Sequence, residues 1–362
     1  MNKNTTIVLF LIGAIALGAG LYFTKQPQPV DTRVLKVYCA GSVLYPMEQV
    51  AEAFMIEHPE IDVQIEGHGS IQVIRHPTEL NDPVDLMIVA DYSLIPLMMY
   101  DKPVPDGDTN FTDWYIRFAG NEIVLAYTEN SRFGDEIEED NWYMILANPE
   151  VKLGISNPII DALGYRALII LQIAEDYYEE KQIFENCLGN WFNPEFDTVD
   201  IGNRTVIFVP EQEKPIGDKI SIRASSIQII PLLQSGAIDY AFLYKSNAEQ
   251  QNLNYIELPN EINLGDPDYD AYYSGAQVRF QHVRFQSIGL DRLGKTIYYG
   301  LTISETAENP DDAVLLSEYI IGGEGKQVFE SLYHRIYEPA YTDNLHSVPE
   351  ILRQYLAEDT YR

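Results

Sequence analysis

The sequence predicts an α/β protein of two units, each a mixed, mostly parallel sheet flanked by helices. Two observations carry that expectation. Apolar runs of strand length alternate with stretches whose apolar residues recur at helical spacing, as in β-α-β units with covered sheet faces. The chain is also long enough, at 362 residues with 46% hydrophobic and 12% aromatic content, to fill more than one core.

The elements follow in order. Residues 34–40 (VLKVYCA) read as a strand, and Gly41-Ser42 turn the chain. Residues 44–58 place Met47, Val50, Ala53 and Phe54 at helical spacing and stop before Pro59. Ile61, Val63 and Ile65 alternate with polar residues, which marks a second strand. The turn Gly67-His68-Gly69-Ser70 then opens a helix reaching Leu80, and 85–90 (DLMIVA) is a short, fully buried strand. Right-handed crossovers bring these strand-to-helix turns to one sheet edge.

A second unit begins near Asn121. It holds a strand at 122–128, another ending at 154–156, and an apolar helix at 164–175. A helix at 227–235 ends at Gly236, and strands follow at 239–244 (DYAFLY) and 255–258. Near the C-terminus 296–303 (TIYYGLTI) is a strand, and 310–333 is helical with a break at Gly322-Gly323. Residues 176–219, rich in acids, Asn and Pro, read as a surface excursion.

The charge narrows the partners. With 24 Lys+Arg against 55 Asp+Glu the formal charge is −31, which argues against nucleic acid and against docking of the body on an anionic membrane. Lys3, the uncharged stretch 7–23 and Lys25 have the form of an export signal or an uncleaved anchor, and either places the body outside the cytoplasm. Cys39 and Cys187 fit either one extracellular disulfide or two separate buried thiols. No CxxC, His-x-x-x-His or HExxH pattern supports a zinc site.

Three turns share one chemistry: Ala40-Gly41-Ser42, Gly69-Ser70, and the stretch 157–165 (NPIIDALGY). Each puts small or hydroxyl residues where a helix begins. Free backbone N–H groups and the positive end of the helix dipole bind anions there without Lys or Arg, although Ser at such a place also serves as an ordinary cap.

These turns lie within stretches that resemble one family. They are VYCAGSVLYPMEQVAEAF (37–54), GHGSIQVIR (67–75), DLMIVADYSLIPLMM (85–99), NEIVLAYT (121–128) and SNPIIDALGYRALI (156–169). They continue at 229–264 and 298–329, so the likeness runs through most of 35–335. The chain resembles the molybdate/tungstate-binding proteins of ABC importers, most closely the archaeal tungstate class. That resemblance implies a two-lobe, periplasmic-binding-protein-like fold of type II with the ligand in the cleft. Residues 1–32 would be the signal or anchor, 33–120 plus 297–345 the first lobe, 121–296 the second, and 346–362 a C-terminal tail.

The resemblance also implies the site. Gly41, Ser42 and its N–H, and Ser70 would hold the oxoanion from the first lobe. The turn from Asp161 to Gly164, including Ala162, would add N–H groups from the second, and Tyr244 a phenol hydroxyl. In the tungstate class two carboxylates reach the metal. The first corresponds to Asp161, a direct ligand of tungsten or molybdenum in that reading, but Ser226 stands where the second is expected. A four-coordinate, hydrogen-bonded oxoanion follows, with Asp161 as a weak extra ligand, an N-cap, or a protonated neighbour. Implied partners are tungstate or molybdate and the permease subunits. The protein is expected to be a monomer that needs no cofactor and performs no catalysis.

Alternatives of other classes are a hydrolase of phosphate or sulfate esters, a membrane-anchored oxoanion sensor, and a binding protein for sulfate or phosphate. None of the six histidines has the partner spacing a hydrolase needs, and His68 reads as a solvent-side turn residue. Lys245 is expected to pair with nearby acids rather than with ligand. With no basic residue assigned to the site, association is expected to quicken with salt as repulsion is screened.

Overall fold

The computed structural model describes residues 32–105, 107–281 and 289–359. The stretch 7–23 and His282 lie outside them. Three mixed sheets organise the chain. The largest has the strand order β16-β15-β4-β14-β3-β1-β2. Its strands are β1 (Arg33–Ala40), β2 (Ile61–His68), β3 (Leu86–Val89), β4 (Ile116–Gly120), β14 (Tyr298–Ile303), β15 (Arg335–Thr342) and β16 (Leu356–Glu358). β1 lies parallel to both β2 and β3, whereas β14 runs antiparallel to β3 and β4.

The second sheet has the order β11-β5-β10-β6-β9, from β5 (Ile123–Tyr127), β6 (Leu153–Ser156), β9 (Ile220–Arg223), β10 (Tyr240–Tyr244) and β11 (Asn254–Glu257). The chain passes from the first sheet to the second at residues 121–122. It returns after β13 (Asp291–Leu293), and these two sheets are the cores of two lobes.

Parallel register is what gathers the turns. Cys39 on β1 stands level with Gly67 on β2 and Ile88 on β3, so the turns after all three strands emerge side by side. In the second sheet β6 is parallel to β9 and β10, so Ser156, Arg223 and Tyr244 end at a common edge. The inner strand β3 is buried on both faces, which explains its unbroken apolar run LMIV, whereas the edge strand β2 alternates.

One expectation is overturned. Residues 176–219 are not a surface excursion. They contribute the helix Ile183–Cys187, β7 (Asp197–Ile201) and β8 (Arg204–Val209), with Phe184, Leu188, Phe192, Ile207 and Val209 buried. β8 pairs in parallel with the distant β12 (Ala276–Phe280), making a third sheet of order β13-β12-β8-β7. The acids and prolines of this stretch dominate its composition, and its pairing partner is too far along the chain for local pattern to show. Nor does the first sheet stop at residue 345, since β16 pairs in parallel with β15.

The apolar helix of the second lobe runs over Ala162–Tyr177, two residues longer at each end than its pattern indicates. Gly322 and Gly323 divide the C-terminal helices Pro310–Gly322 and Glu324–Ser331 as expected. Cys39 and Cys187 are two free, buried thiols, and burial pushes the Cys187 thiol up to about 12.

The C-terminal strand is tied down by charge. Arg117 Nη2 lies 3.1 Å from Asp359 Oδ2, with both side chains largely buried, and the guanidinium sits over the rings of Tyr92, Tyr298 and Tyr341. Asp359→Ala should leave Arg117 uncompensated and lower the unfolding free energy by about 3–5 kcal/mol, read by chemical denaturation.

Candidate functional site

Ser42 begins at the 3-10 turn Gly41–Val43, which runs into the helix Leu44–Glu57. Its hydroxyl is buried and accepts from the Tyr299 hydroxyl at 3.0 Å. Tyr299 in turn accepts from Asn121 Nδ2 at 3.2 Å. Ser70, the first residue of the helix Ser70–Glu79, is buried too, and its Oγ accepts from the Ala90 N–H at 3.0 Å. A hydroxyl whose oxygen is engaged by a donor has its own proton free for another acceptor. Both serines are therefore set as donors.

The second lobe answers with the turn after β6. Asp161 caps the helix Ala162–Tyr177: Oδ1 accepts from the Leu163 N–H at 2.8 Å, and Oδ2 from the Ser226 N–H at 2.9 Å. Burial raises its carboxyl to about 6, even though these two N–H groups and the Arg166 charge favour the ionised form. Ser226 is thus a backbone partner of Asp161. Gly164 donates its N–H to the Asp161 carbonyl at 3.2 Å, and a Cβ on it would overlap the Ser156 carbonyl oxygen. Its lack of a side chain is what lets the turn pack this closely. Ala162 carries the helix N–H that the turn does not itself use.

The two lobes meet backbone to backbone. A Cβ on Gly69 would overlap the Ile160 carbonyl oxygen and stand 3.2 Å from the Asp161 Cα. A Cβ on Gly41 would stand 3.1 Å from the Ile227 side chain, next to Ser226. These contacts bring Gly41, Ser42 and Ser70 up to Asp161, Ala162 and Ser226.

Behind this junction lies a buried cluster of charge. Tyr244, at the end of β10, is buried, and its oxygen accepts from Arg166 Nη1 at 2.7 Å. Its ring centroid is 6.1 Å from that of Tyr299. The neighbouring Tyr165 donates to Asp91 Oδ2 at 2.7 Å, across the lobes. Lys295 Nζ lies 3.2 Å from Asp91 Oδ1, and Arg166 Nη2 lies 4.0 Å from Oδ2. Burial opposes charge on Asp91, but Lys295, Arg166 and the Tyr165 hydroxyl outweigh it and hold the carboxyl well below the usual carboxylate range.

Arg166, Asp91, Asn121 and Tyr299 are absent from the sequence-based expectation, which assigned no basic residue to the site. A signal was available. Arg166 is a lone cation in the apolar run ALGYRALII, and Asp91 directly follows the buried strand run DLMIVA. A charge committed to burial requires a partner, so each pointed to the other. Lys245 stands apart, paired with Glu122 at 2.6 Å and Glu257 at 2.7 Å. His68 lies at the end of β2 with Nε2 3.2 Å from Glu66.

Two α/β lobes whose helix-start turns converge on one buried junction define a solute-binding architecture. The chain belongs to the bacterial extracellular solute-binding protein family, whose profile matches residues 35–332. It is 36% identical over 339 residues to a solute-binding protein of Methanoculleus marisnigri, covering 91% of this chain and 92% of that one. It is 35% identical over 348 residues to a molybdate/tungstate-binding protein of Pyrococcus abyssi, covering 93% and 92%. Among solved structures it is similar to the periplasmic molybdate-binding protein of Azotobacter vinelandii, with a TM-score of 0.51 and 15% identity over 84% of this chain and 100% of that one. The sulfate-binding protein SubI of Mycobacterium tuberculosis gives a TM-score of 0.53 and 12% identity over 85% and 88%. At these identities the structural likeness is one of fold.

The Gly69 contact provides a test of closure. Gly69→Ala should wedge the lobes apart, seen as a larger radius of gyration in solution scattering; an unchanged radius would mean the contact is not what sets the lobe spacing.

Proposed function

We propose that this chain captures tungstate or molybdate between its lobes outside the cytoplasm and delivers it to the membrane subunits of an ABC importer. One observation carries the reading. Ser42 and Ser70 both have their oxygens occupied from the protein side, which leaves two aligned hydroxyl donors opposite the Asp161 turn. A fully deprotonated oxoanion is an acceptor on every face and matches such a lining. The relative from Pyrococcus abyssi supplies the choice of oxoanion. Gly41, Ser42, Ser70, Ala162 and Tyr244 are the groups we assign to it, with Ser226 steadying Asp161. Capture is reversible, makes and breaks no covalent bond and requires no cofactor.

Asp161 directs both oxygens to backbone N–H groups, and in the family resemblance Ser226 stands where a second carboxylate is expected. The oxoanion then remains four-coordinate, which X-ray absorption on the tungstate complex reads directly. Residues 121–122 and 294–297 are the natural hinges, and tethering to the outer face of the membrane would fall to residues 1–32.

Thermal-shift and calorimetric titration with tungstate, molybdate, sulfate, phosphate and vanadate tests the reading. Tungstate or molybdate at a thousandfold excess over Kd should stabilise the protein by about 4 kcal/mol. A response only to another anion would overturn the assignment. Ser42→Ala and Ser70→Ala should each weaken binding by about 1–3 kcal/mol.

The Asp161 carboxyl adds a pH dependence with a definite sign. Its folded value is raised, so the native state holds the proton more tightly than the unfolded chain. The resulting stability is present at low pH and lost as pH rises through about 6. A bound dianion raises that value further, so binding takes up a proton and affinity falls, by up to about tenfold per pH unit, between about 6 and the higher value in the complex. Calorimetry in buffers of different ionisation enthalpy measures the uptake; none would be seen if the carboxylate coordinates the metal directly.

A further inference from the structure

We infer that Arg166 is a positioning residue for the oxoanion, committing the Tyr244 proton to the ligand by donating to the Tyr244 oxygen. The inference rests on the proposed function, because it takes Tyr244 as a ligand contact. It is carried by three features of the site.

The first is direction. Arg166 is always a donor and never an acceptor, so the 2.7 Å bond from Nη1 can only place its hydrogen on Tyr244 Oη. The phenol hydrogen must then point away from the guanidinium. Tyr244 thereby joins Ser42 and Ser70, whose oxygens are likewise engaged from behind by Tyr299 and Ala90.

The second is cost. Arg166 is only 2% exposed, on the first turns of its helix, and is the one charge in the run ALGYRALII. Burying a guanidinium there is expensive, and a Leu or Met would fill the space more cheaply. The third is incomplete neutralisation. Asp91 is contacted directly by Lys295 at 3.2 Å, by the Tyr165 hydroxyl at 2.7 Å and by the Ser93 hydroxyl at 2.7 Å, while Arg166 Nη2 stands off at 4.0 Å and makes no hydrogen bond among the described residues. The cation is thus left with charge to spend on its other neighbour, the Tyr244 hydroxyl. Polarised by that contact, the phenol is a stronger donor to an anion than a free tyrosine.

The test is a double-mutant cycle on the full chain, titrated with sodium tungstate and sodium molybdate in a calorimeter. Tyr244→Phe and Arg166→Met should each weaken binding about 10- to 100-fold. The double variant should bind no more weakly than the weaker single variant, because Arg166 acts through Tyr244. The near-ultraviolet tyrosine difference spectrum gives a readout that a purely structural residue would not move. Tungstate should red-shift it in the wild type, leave it unshifted in Tyr244→Phe, and shift it less in Arg166→Met. Arg166→Lys, which keeps a charged donor, should recover part of both affinity and shift. Should Arg166→Met fail to fold, the same cycle with Arg166→Gln decides. Losses that add in the double variant, or a full spectral shift without Arg166, overturn this inference alone. A wild type that binds neither oxoanion overturns the proposed function and this inference with it.

Discussion

Everything in the site depends on the approach of two backbones. Gly69 in the first lobe and Ile160-Asp161 in the second are so close that even a methyl group between them would overlap a carbonyl oxygen. That closeness brings the turns of β1 and β2 within reach of the turn after β6. It also lets main-chain and hydroxyl groups, which are short and stiff, serve where long side chains would otherwise be needed. Directional donors of this kind lose little freedom on binding, because the fold has already fixed them.

The oxoanion we propose would bring the field of a dianion to a site lined by neutral donors. Here the balance is set one layer back. Asp91, Arg166 and Tyr165 are buried together, Lys295 lies half-buried beside them, and the group spans the lobes, so its charge is part of the scaffold rather than of the contact surface. Because Asp91 comes from one lobe and Tyr165 and Arg166 from the other, this network is complete only when the lobes are together.

Much of this was legible in the sequence. Ser42, Ser70 and Asp161 stand at strand-to-helix turns, and local spacing alone marks such turns. The parallel register that aligns them follows from the handedness of β-α-β crossovers. What spacing does not reveal is which distant residue stands behind each hydroxyl. The Tyr299–Ser42 and Arg166–Tyr244 bonds join residues 257 and 78 positions apart. The third sheet is hidden from local pattern for the same reason, since β8 pairs with β12 beyond a long intervening stretch. A glycine at a helix start fits both an exposed N–H and a packing requirement, and the Ser156 carbonyl against Gly164 is a packing requirement that spacing does not reveal.

The two cysteines carry a consequence of another kind. Cys39 lies in the core of the first lobe and Cys187 in the second, each buried and unbridged. The fold is therefore held without a covalent cross-link, and its maturation outside the cytoplasm asks for no oxidant and no thiol-exchange partner. An environment of any redox potential leaves the same molecule, because neither sulfur is accessible enough to register it.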